Sequence, residues 1–487
     1  MANSIKSPPQ RRQKQPFCIA FVVLFTSAAF TMRFQRFNLS YSTEFQQIDN
    51  NAPLETAIFS KEQQKTQLSS PSPSPKSPLS SSDSCFAKFP WIQPTLDIFY
   101  APALKAFSAS LQRTEESLAA MDNITWHNGY HPGRDTIILR YDNTTKSYKM
   151  TFNRDYPPNE PYKGDCIQHP LKQAIETHGA ALAEKFKYKE LRFALVTEDF
   201  AINWRGSNSR LPAFTLCTDD AHSDIPVPDF TFGCYPETQY KNSTWEYISE
   251  RLAREAKKIK WKKRYNTIFH RSNWGVGPRR GLMPLLENLH LNKTDVEVLG
   301  GVLDIGNTGF QAKDQERFVF LHEQCLHKAA IHTAGFSYSA GLKYKLACAQ
   351  LVLHFDSKYK EFYEPALEDG VHMVRVPAMD EGVEEEEFFD YSAPKIKKVV
   401  EAALSSKTND LPSIAAAGQQ FALTQLSPEG LSCYWYGALL KYGELYFTEQ
   451  TEAQKRAFEE QHAIEIETDS RNVVGTSGDA GLEEAVV

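Results

Sequence analysis

The sequence predicts an α/β protein built on parallel sheets with helices on both faces. Short β-rich runs ("ELRFALVT", "YNTIFH", "DVEVLGG", "KAAIHTA", "QLVLHF", "HMVRV") alternate with helical patterns near 170–187, 243–258, 342–350, 394–405 and 430–446. Alternation of this kind implies parallel strands joined by crossover helices. Ligands of such sheets bind beyond the carboxyl ends of the strands. The chain also has the means to fill a two-domain core: of 487 residues, 41% are hydrophobic and 12% aromatic. Wholesale disorder is excluded by that content. A net charge of -6 argues against a nucleic-acid partner.

The ends of the chain carry different signals. Residues 1–16 include the basic run "RRQKQ" at 11–15, and residues 17–32 form an apolar stretch without a charge. Basic residues before an apolar run read as a signal anchor with a cytosolic N-terminal tail; a cleaved signal peptide is the alternative. Residues 33–84 end in "SSPSPSPKSPLSSSDS", which cannot bury enough apolar surface to fold and reads as an extended stem. The ordered part is expected over 85–446, and 447–487 becomes an acidic tail after a helical start. Five N-x-[ST] sequons, at Asn38, Asn123, Asn143, Asn242 and Asn292, all fall on the lumenal side of this topology. Seven of the eight cysteines follow the apolar run, which suits an oxidising compartment. The expected location is therefore the Golgi or endoplasmic reticulum membrane, single-pass, with the folded part in the lumen.

Three segments could carry chemistry. "LRFALVTEDFAINW" is a strand-like run ending in Glu198 and Asp199. A carboxylate at the carboxyl edge of a sheet can take a proton from a bound hydroxyl. In "REAKKIKWKKRYNTIFHRSNWGVGPRRGL" a basic helix leads to a strand, then to Arg271, Ser272, a glycine-containing loop, Arg279 and Arg280. Glycine, hydroxyl and guanidinium groups there suit a diphosphate, although the spacing matches neither a P-loop nor a dinucleotide fingerprint. The run Lys257 to Arg264 reads as a solvated helix face. "CLHKAAIHTAGFSYSAGLKYKLACAQLVLHF", from Cys325 to Phe355, repeats the arrangement with Ser337 and Ser339 in the turn and Lys343 and Lys345 on the helix. "CTDD" at 217–220 lacks the alternating spacing of a D-x-D metal site, so no metal is expected.

Taken in order, "VTEDF", "SDIPVPDFTF", "WKKRYNTIFHRS", "GPRRGL", the Cys325 to Phe355 segment, "KEFYEPALEDGVHMVRV" and "LSCYWYGALLKYGELY" resemble glycosyltransferase family 90, the capsule-associated and protein O-glucosyltransferase group with a CAP10-type domain. The similarity covers roughly residues 85–446. It implies a GT-B architecture, two Rossmann-like domains facing across a cleft, here 85–260 on the acceptor side and 261–446 on the UDP-sugar side. It also implies transfer of glucose or xylose from a UDP-sugar, with inversion, to a hydroxyl of a protein or glycan, with no cofactor beyond that co-substrate. Asp199 matches the family's base. Ser272 and Arg279 match donor-contacting residues, with Arg280 the alternative to Arg279, and the turn from Ser337 through Ser339 to Lys343 matches the segment that holds the diphosphate. Disulfides Cys325–Cys348 and Cys85–Cys433 are implied as well, leaving Cys166, Cys217 and Cys234, of which one should be unpaired or intermolecular. One departure stands out. Where members with protein-glucosylating activity carry an arginine two residues before the helix lysine, this chain has Gly341. Either Lys343 or Arg280 replaces that charge, or activity is reduced, and the alternative function is a catalytically inactive relative acting as a lumenal binding or quality-control protein.

Overall fold

The structure is a computed structural model that describes residues 81–107, 114–125, 131–158, 161–205, 211–234, 244–273, 277, 279, 297–298, 301–308, 319–376 and 411–447. The apolar run 17–32, the stem, the helix expected near 394–405, the tail, Arg280 and the sequons at Asn38, Asn242 and Asn292 lie outside them. Among the described residues no helix is long and apolar enough to cross a membrane.

Two sheets organise the chain. The first has five strands in the order β2-β1-β3-β4-β5: β1 (Arg134–Asp142), β2 (Ser147–Tyr156), β3 (Leu191–Val196), β4 (Phe214–Thr215) and β5 (Ile225–Pro226). The second has six in the order β11-β10-β9-β6-β8-β7: β6 (Tyr265–Ser272), β7 (Glu297–Val298), β8 (Gly301–Asn307), β9 (His327–His332), β10 (Leu351–Phe355) and β11 (Val374–Val376). β3, β4 and β5 run parallel, as do β8, β6, β9, β10 and β11. All five residues of β10 are buried, as expected of a parallel strand covered on both faces.

The expected parallel strands are joined by antiparallel additions in two places. β1 and β2 form an antiparallel hairpin on one edge of the first sheet, and β7 pairs antiparallel with β8 on the edge of the second. The hairpin's turn is made by Asp142, whose carboxylate accepts from Thr144 N at 3.0 Å and Thr145 Oγ1 at 2.9 Å, with Lys146 at φ +53°. An Asx turn without glycine is a weak sequence signal, so polar "DNTTKS" did not announce it. The sequon asparagine Asn143 is exposed on this turn, and Asn123 is exposed where a helix ends.

The helices are α1 (Ser81–Lys88), α2 (Ile92–Phe107), α3 (Thr114–Asp122), α4 (Pro161–Lys185), α5 (Phe230–Gly233), α6 (Trp245–Lys258), α7 (Leu342–Ala347), α8 (Leu411–Thr424) and α9 (Pro428–Tyr446). Their starts follow from local chemistry. Ser427 caps α9 by accepting from Gly430 N at 3.2 Å, with Pro428 in the first turn, and Asp229 caps α5 through Thr231 N at 2.9 Å. α9 returns to the first sheet: Tyr442 Oη donates to Arg192 O at 3.1 Å and Tyr434 Oη to Pro226 O at 2.8 Å. Residues 428–446 thus pack on the first sheet although they follow the second in the chain. A single buried cluster runs from Phe193 and Phe214 through Trp435 and Tyr442 to Leu346 and Val352. Truncating an indole such as that of Trp435, wholly buried in it, costs about 3–5 kcal/mol in sites of this kind.

Disulfides join Cys85 to Cys433, Cys166 to Cys234 and Cys325 to Cys348. The first ties α1 to α9, and the third brackets β9, the turn after it and α7. Cys217 keeps its thiol, buried. Arg264 corrects one sequence expectation: it is buried, and its guanidinium donates to Cys348 O at 2.9 Å, Ala349 O at 2.6 Å and Ala256 O at 3.1 Å. It therefore satisfies carbonyls at the ends of α6 and α7, while Lys262 and Lys263 beside it are exposed.

Candidate active site

The carboxyl end of β3 meets the turn after β9. Asp199 follows β3 by three residues, and its backbone carbonyl accepts from the Ser337 hydroxyl and from Cys217 Sγ at 3.2 Å. Phe200 and Phe336 pack edge to face beside it, with ring centroids 5.0 Å apart. A second link, between the loop after β4 and the loop after β10, pairs Thr218 with Lys360 through N–H to O bonds of 3.1 and 2.8 Å. The backbone of the candidate base is thus fixed from the opposite sheet. Its side chain stays 37% exposed, which keeps it open to a substrate, and Lys163 Nζ donates to Oδ1 at 3.1 Å. Lys163 is itself nearly buried, stacked 5.0 Å from the centre of the Phe230 ring. Sequence reasoning missed it, because Lys163 precedes Asp199 by a whole helix and strand.

The second half of the site is built around the turn 333–341. Gly277, at φ +48°, lies so close to the turn that a Cβ would meet Gly335 O at 1.9 Å. Only glycine tolerates both the left-handed backbone and that approach. This contact brings Arg279 over the turn, where Nη2 donates to Ser339 Oγ at 2.8 Å. Ser272, at the end of β6, meets His270 Nε2 at 2.7 Å, while His270 Nδ1 lies 3.1 Å from Ile331 O. A carbonyl can only accept, so Nδ1 carries the proton and the Ser272 hydroxyl donates to Nε2. Burial, with the charges of Lys345 and Arg279, holds His270 well below the usual histidine range. The imidazole is therefore neutral.

The two lysines of α7 do different things. They are two positions apart on a helix, so they leave on nearly opposite faces. Lys343 is fully buried and turned toward α5, where its ammonium donates to Thr231 Oγ1 and to Ala340 O at 3.1 Å, lies 3.5 Å from Asp229 Oδ1 and sits 4.2 Å over the Phe232 ring. It connects α7 to the start of α5. Lys345 is turned the other way, toward Arg279 and His332. Its ammonium is 3.5 Å from His332 Nδ1 and 3.4 Å from Gly341 O, and burial followed by the Arg279 charge lowers its pKa to about 7. The helix itself has only six residues, shorter than the 342–350 expected. The structure thus brings Asp199 to Ser337 and Arg279 to Ser339, and it leaves Lys343 apart from the latter pair. Arg271 is occupied elsewhere, in an ion pair of 2.6 Å with Asp304. Asp219 turns back on Ala221 N at 2.9 Å and on the His222 ring.

The family model described as glycosyl transferase family 90 matches residues 188–478, more than half of the chain. The chain belongs to this family. The match begins just before β3 and takes in Asp199, the loop after β6, the turn 333–341 and α7, so the family 90 segment contains every element of the site except Lys163. Among curated proteins the chain is 22% identical over 307 residues to protein O-glucosyltransferase 1 of Homo sapiens, covering 61% of this chain and 71% of that protein. It is 25% identical over 256 residues to the O-glucosyltransferase rumi homolog of Aedes aegypti, covering 50% of this chain and 58% of that one. Protein O-glucosyltransferase 2 of Danio rerio is 23% identical over 292 residues, covering 55% and 50%. The match thus spans from half to about seven-tenths of these family 90 relatives. Its mixed α/β sheets suit a glycosyltransferase fold.

Proposed function

We propose that this chain transfers a sugar, glucose or xylose, from a UDP-sugar to a hydroxyl of a protein or glycan, inverting the anomeric carbon and without an obligatory metal. The observation that carries this reading is the placement of Asp199. A half-exposed carboxylate stands at the carboxyl edge of one sheet, its carbonyl held by Ser337 from the turn that bears the candidate donor-site groups of the other. In a single displacement the base and the leaving group lie on opposite sides of the anomeric carbon. Asp199 takes the proton of the acceptor hydroxyl while that oxygen attacks, and the departing UDP oxygen gains charge beside the cations of the opposite turn. Lys163 orients the carboxylate. Membrane anchorage through 17–32, a lumenal site and a GT-B arrangement of the two sheets belong to the same proposal. The names of the relatives, protein O-glucosyltransferases, favour glucose and a protein acceptor.

Incubating the full chain with UDP-glucose or UDP-xylose and a panel of protein and glycan acceptors tests this. Turnover insensitive to EDTA and abolished in Asp199→Asn supports the proposal; no turnover with any UDP-sugar sinks it. Gly341 favours a second reading, an inactive relative that binds in the lumen, because the turn lacks a side-chain cation at that position. Binding of UDP-sugar without turnover is the outcome that would select it.

A further inference from the structure

A buried, partner-poor ammonium beside an arginine calls for an explanation. Lys345 is 9% exposed, and its two contacts, 3.5 Å to His332 Nδ1 and 3.4 Å to Gly341 O, are long for a cation. Lysine is almost never buried unless paired. The groups that face it are Arg279 from the loop after β6, His332 on β9 with the tilted ring of His354 of β10 5.0 Å behind it, His270 on β6, and Glu361 after β10. Burial keeps His270 and His332 well below the histidine range and Glu361 well above the carboxylate range. Lys345 therefore faces a fixed cation and two imidazoles that burial keeps uncharged, and of these groups Glu361 alone favours its ammonium form.

Gly341 supplies the opening. A Cβ at this residue would stand 3.0 Å from Lys345 Nζ and 3.7 Å from Ser339 Oγ. The ammonium, the Ser339 hydroxyl and, through that hydroxyl, the Arg279 guanidinium thus converge on a point that glycine leaves empty. Residues 339–341 are only half-buried, so this point opens to solvent.

We propose that Lys345 is the second cation of the donor site, reaching through the space left by Gly341 to grip the diphosphate of a nucleotide sugar together with Arg279. This rests on the donor reading given above. It makes the glycine that removes one side-chain cation from the turn the residue that admits another. The cost of the buried ammonium is recovered when the anion arrives, because a diphosphate separates two like charges and favours the protonated lysine. Binding above neutral pH then takes up a proton, and donor affinity falls as pH rises past about 7.

Calorimetric titration of the full chain with UDP-glucose, whose diphosphate diester does not itself titrate there, tests this between about pH 6 and 8.5, in buffers of different ionisation enthalpy. The expected result is a constant Kd below the lysine's pKa, a rise approaching tenfold per pH unit above it, and uptake of close to one proton at the alkaline end. Lys345→Met should weaken binding about tenfold to a hundredfold at pH 6 and remove the pH dependence. Lys345→Arg should bind with a flat profile. Wild-type affinity that is flat across the range with no proton uptake overturns the assignment, and so does Lys345→Met binding like wild type. Absence of UDP-glucose binding to the wild type at every pH overturns the donor reading instead, and the two failures are told apart by that control.

Discussion

The two sides of the site are held in contrasting ways. On the first, Asp199 has its backbone tied by a hydroxyl and a thiol and its carboxylate tied by Lys163, so the group that must be aimed is anchored at three points. On the second, the turn is bracketed by a disulfide and closed by glycines at 277 and 335, Arg279 lies over it, and the buried Lys345 ammonium lies against Gly341 O. On the proposed reading the base is pre-oriented, as proton transfer demands, and the cations are arranged to meet a charge that comes and goes.

Replacing the aimed group should produce the largest effect. Asp199→Asn keeps the shape and removes the base, and a loss of about a hundredfold to ten-thousandfold in kcat is expected, with the melting temperature little changed. A variant with full turnover would move the base elsewhere.

Next comes the link between α7 and α5. Lys343→Met leaves the buried Asp229 carboxylate without its cation and should cost about 3–5 kcal/mol in denaturant unfolding. A variant of unchanged stability but raised donor KM would restore Lys343 to the donor site and contradict the division of labour between the α7 lysines.

Acid should loosen the second side before the first. His270 and His332 are held below the ordinary value of 6.5, so the unfolded chain binds more protons than the native one once pH falls below that value. Stability contributed by these neutral imidazoles is complete above about pH 6.5 and is lost as pH falls toward the native values. Unfolding titrations between pH 7.5 and 5 should show the midpoint falling, and His332→Gln should flatten that fall.

The smallest change is Ser337→Ala. It removes one of two donors to the Asp199 carbonyl, costs about 1 kcal/mol, and should lower kcat more than it raises the donor KM. An effect confined to KM would mean that Ser337 serves the donor and not the base.

Much of this was legible in the chain. β3, β9 and β10 announced themselves because nearly all of their residues are buried and they read as short apolar runs, and the carboxyl-edge rule then pointed to Asp199 and to the loops after β6 and β9. The β1–β2 hairpin was not, since its strands mix charged and apolar residues and its turn lacks glycine. "LKYKL" could not say which lysine faces the site, because a helix only six residues long gives no amphipathic pattern to orient it. The choice is made by packing: Asp229 and Thr231 of α5 claim Lys343 and leave Lys345 to the turn. Lys163 and Cys217 were invisible for the same reason, since their contacts with Asp199 are tertiary.

A structure of the chain with an intact UDP-sugar bears most directly on the central claim. The account predicts diphosphate oxygens within hydrogen-bonding distance of Arg279 and Lys345, beside Gly341, with the Asp199 carboxylate facing the anomeric carbon from the side opposite the leaving oxygen. A diphosphate bound away from the turn, with Arg279 still on Ser339 and Lys345 still against His332, would contradict it.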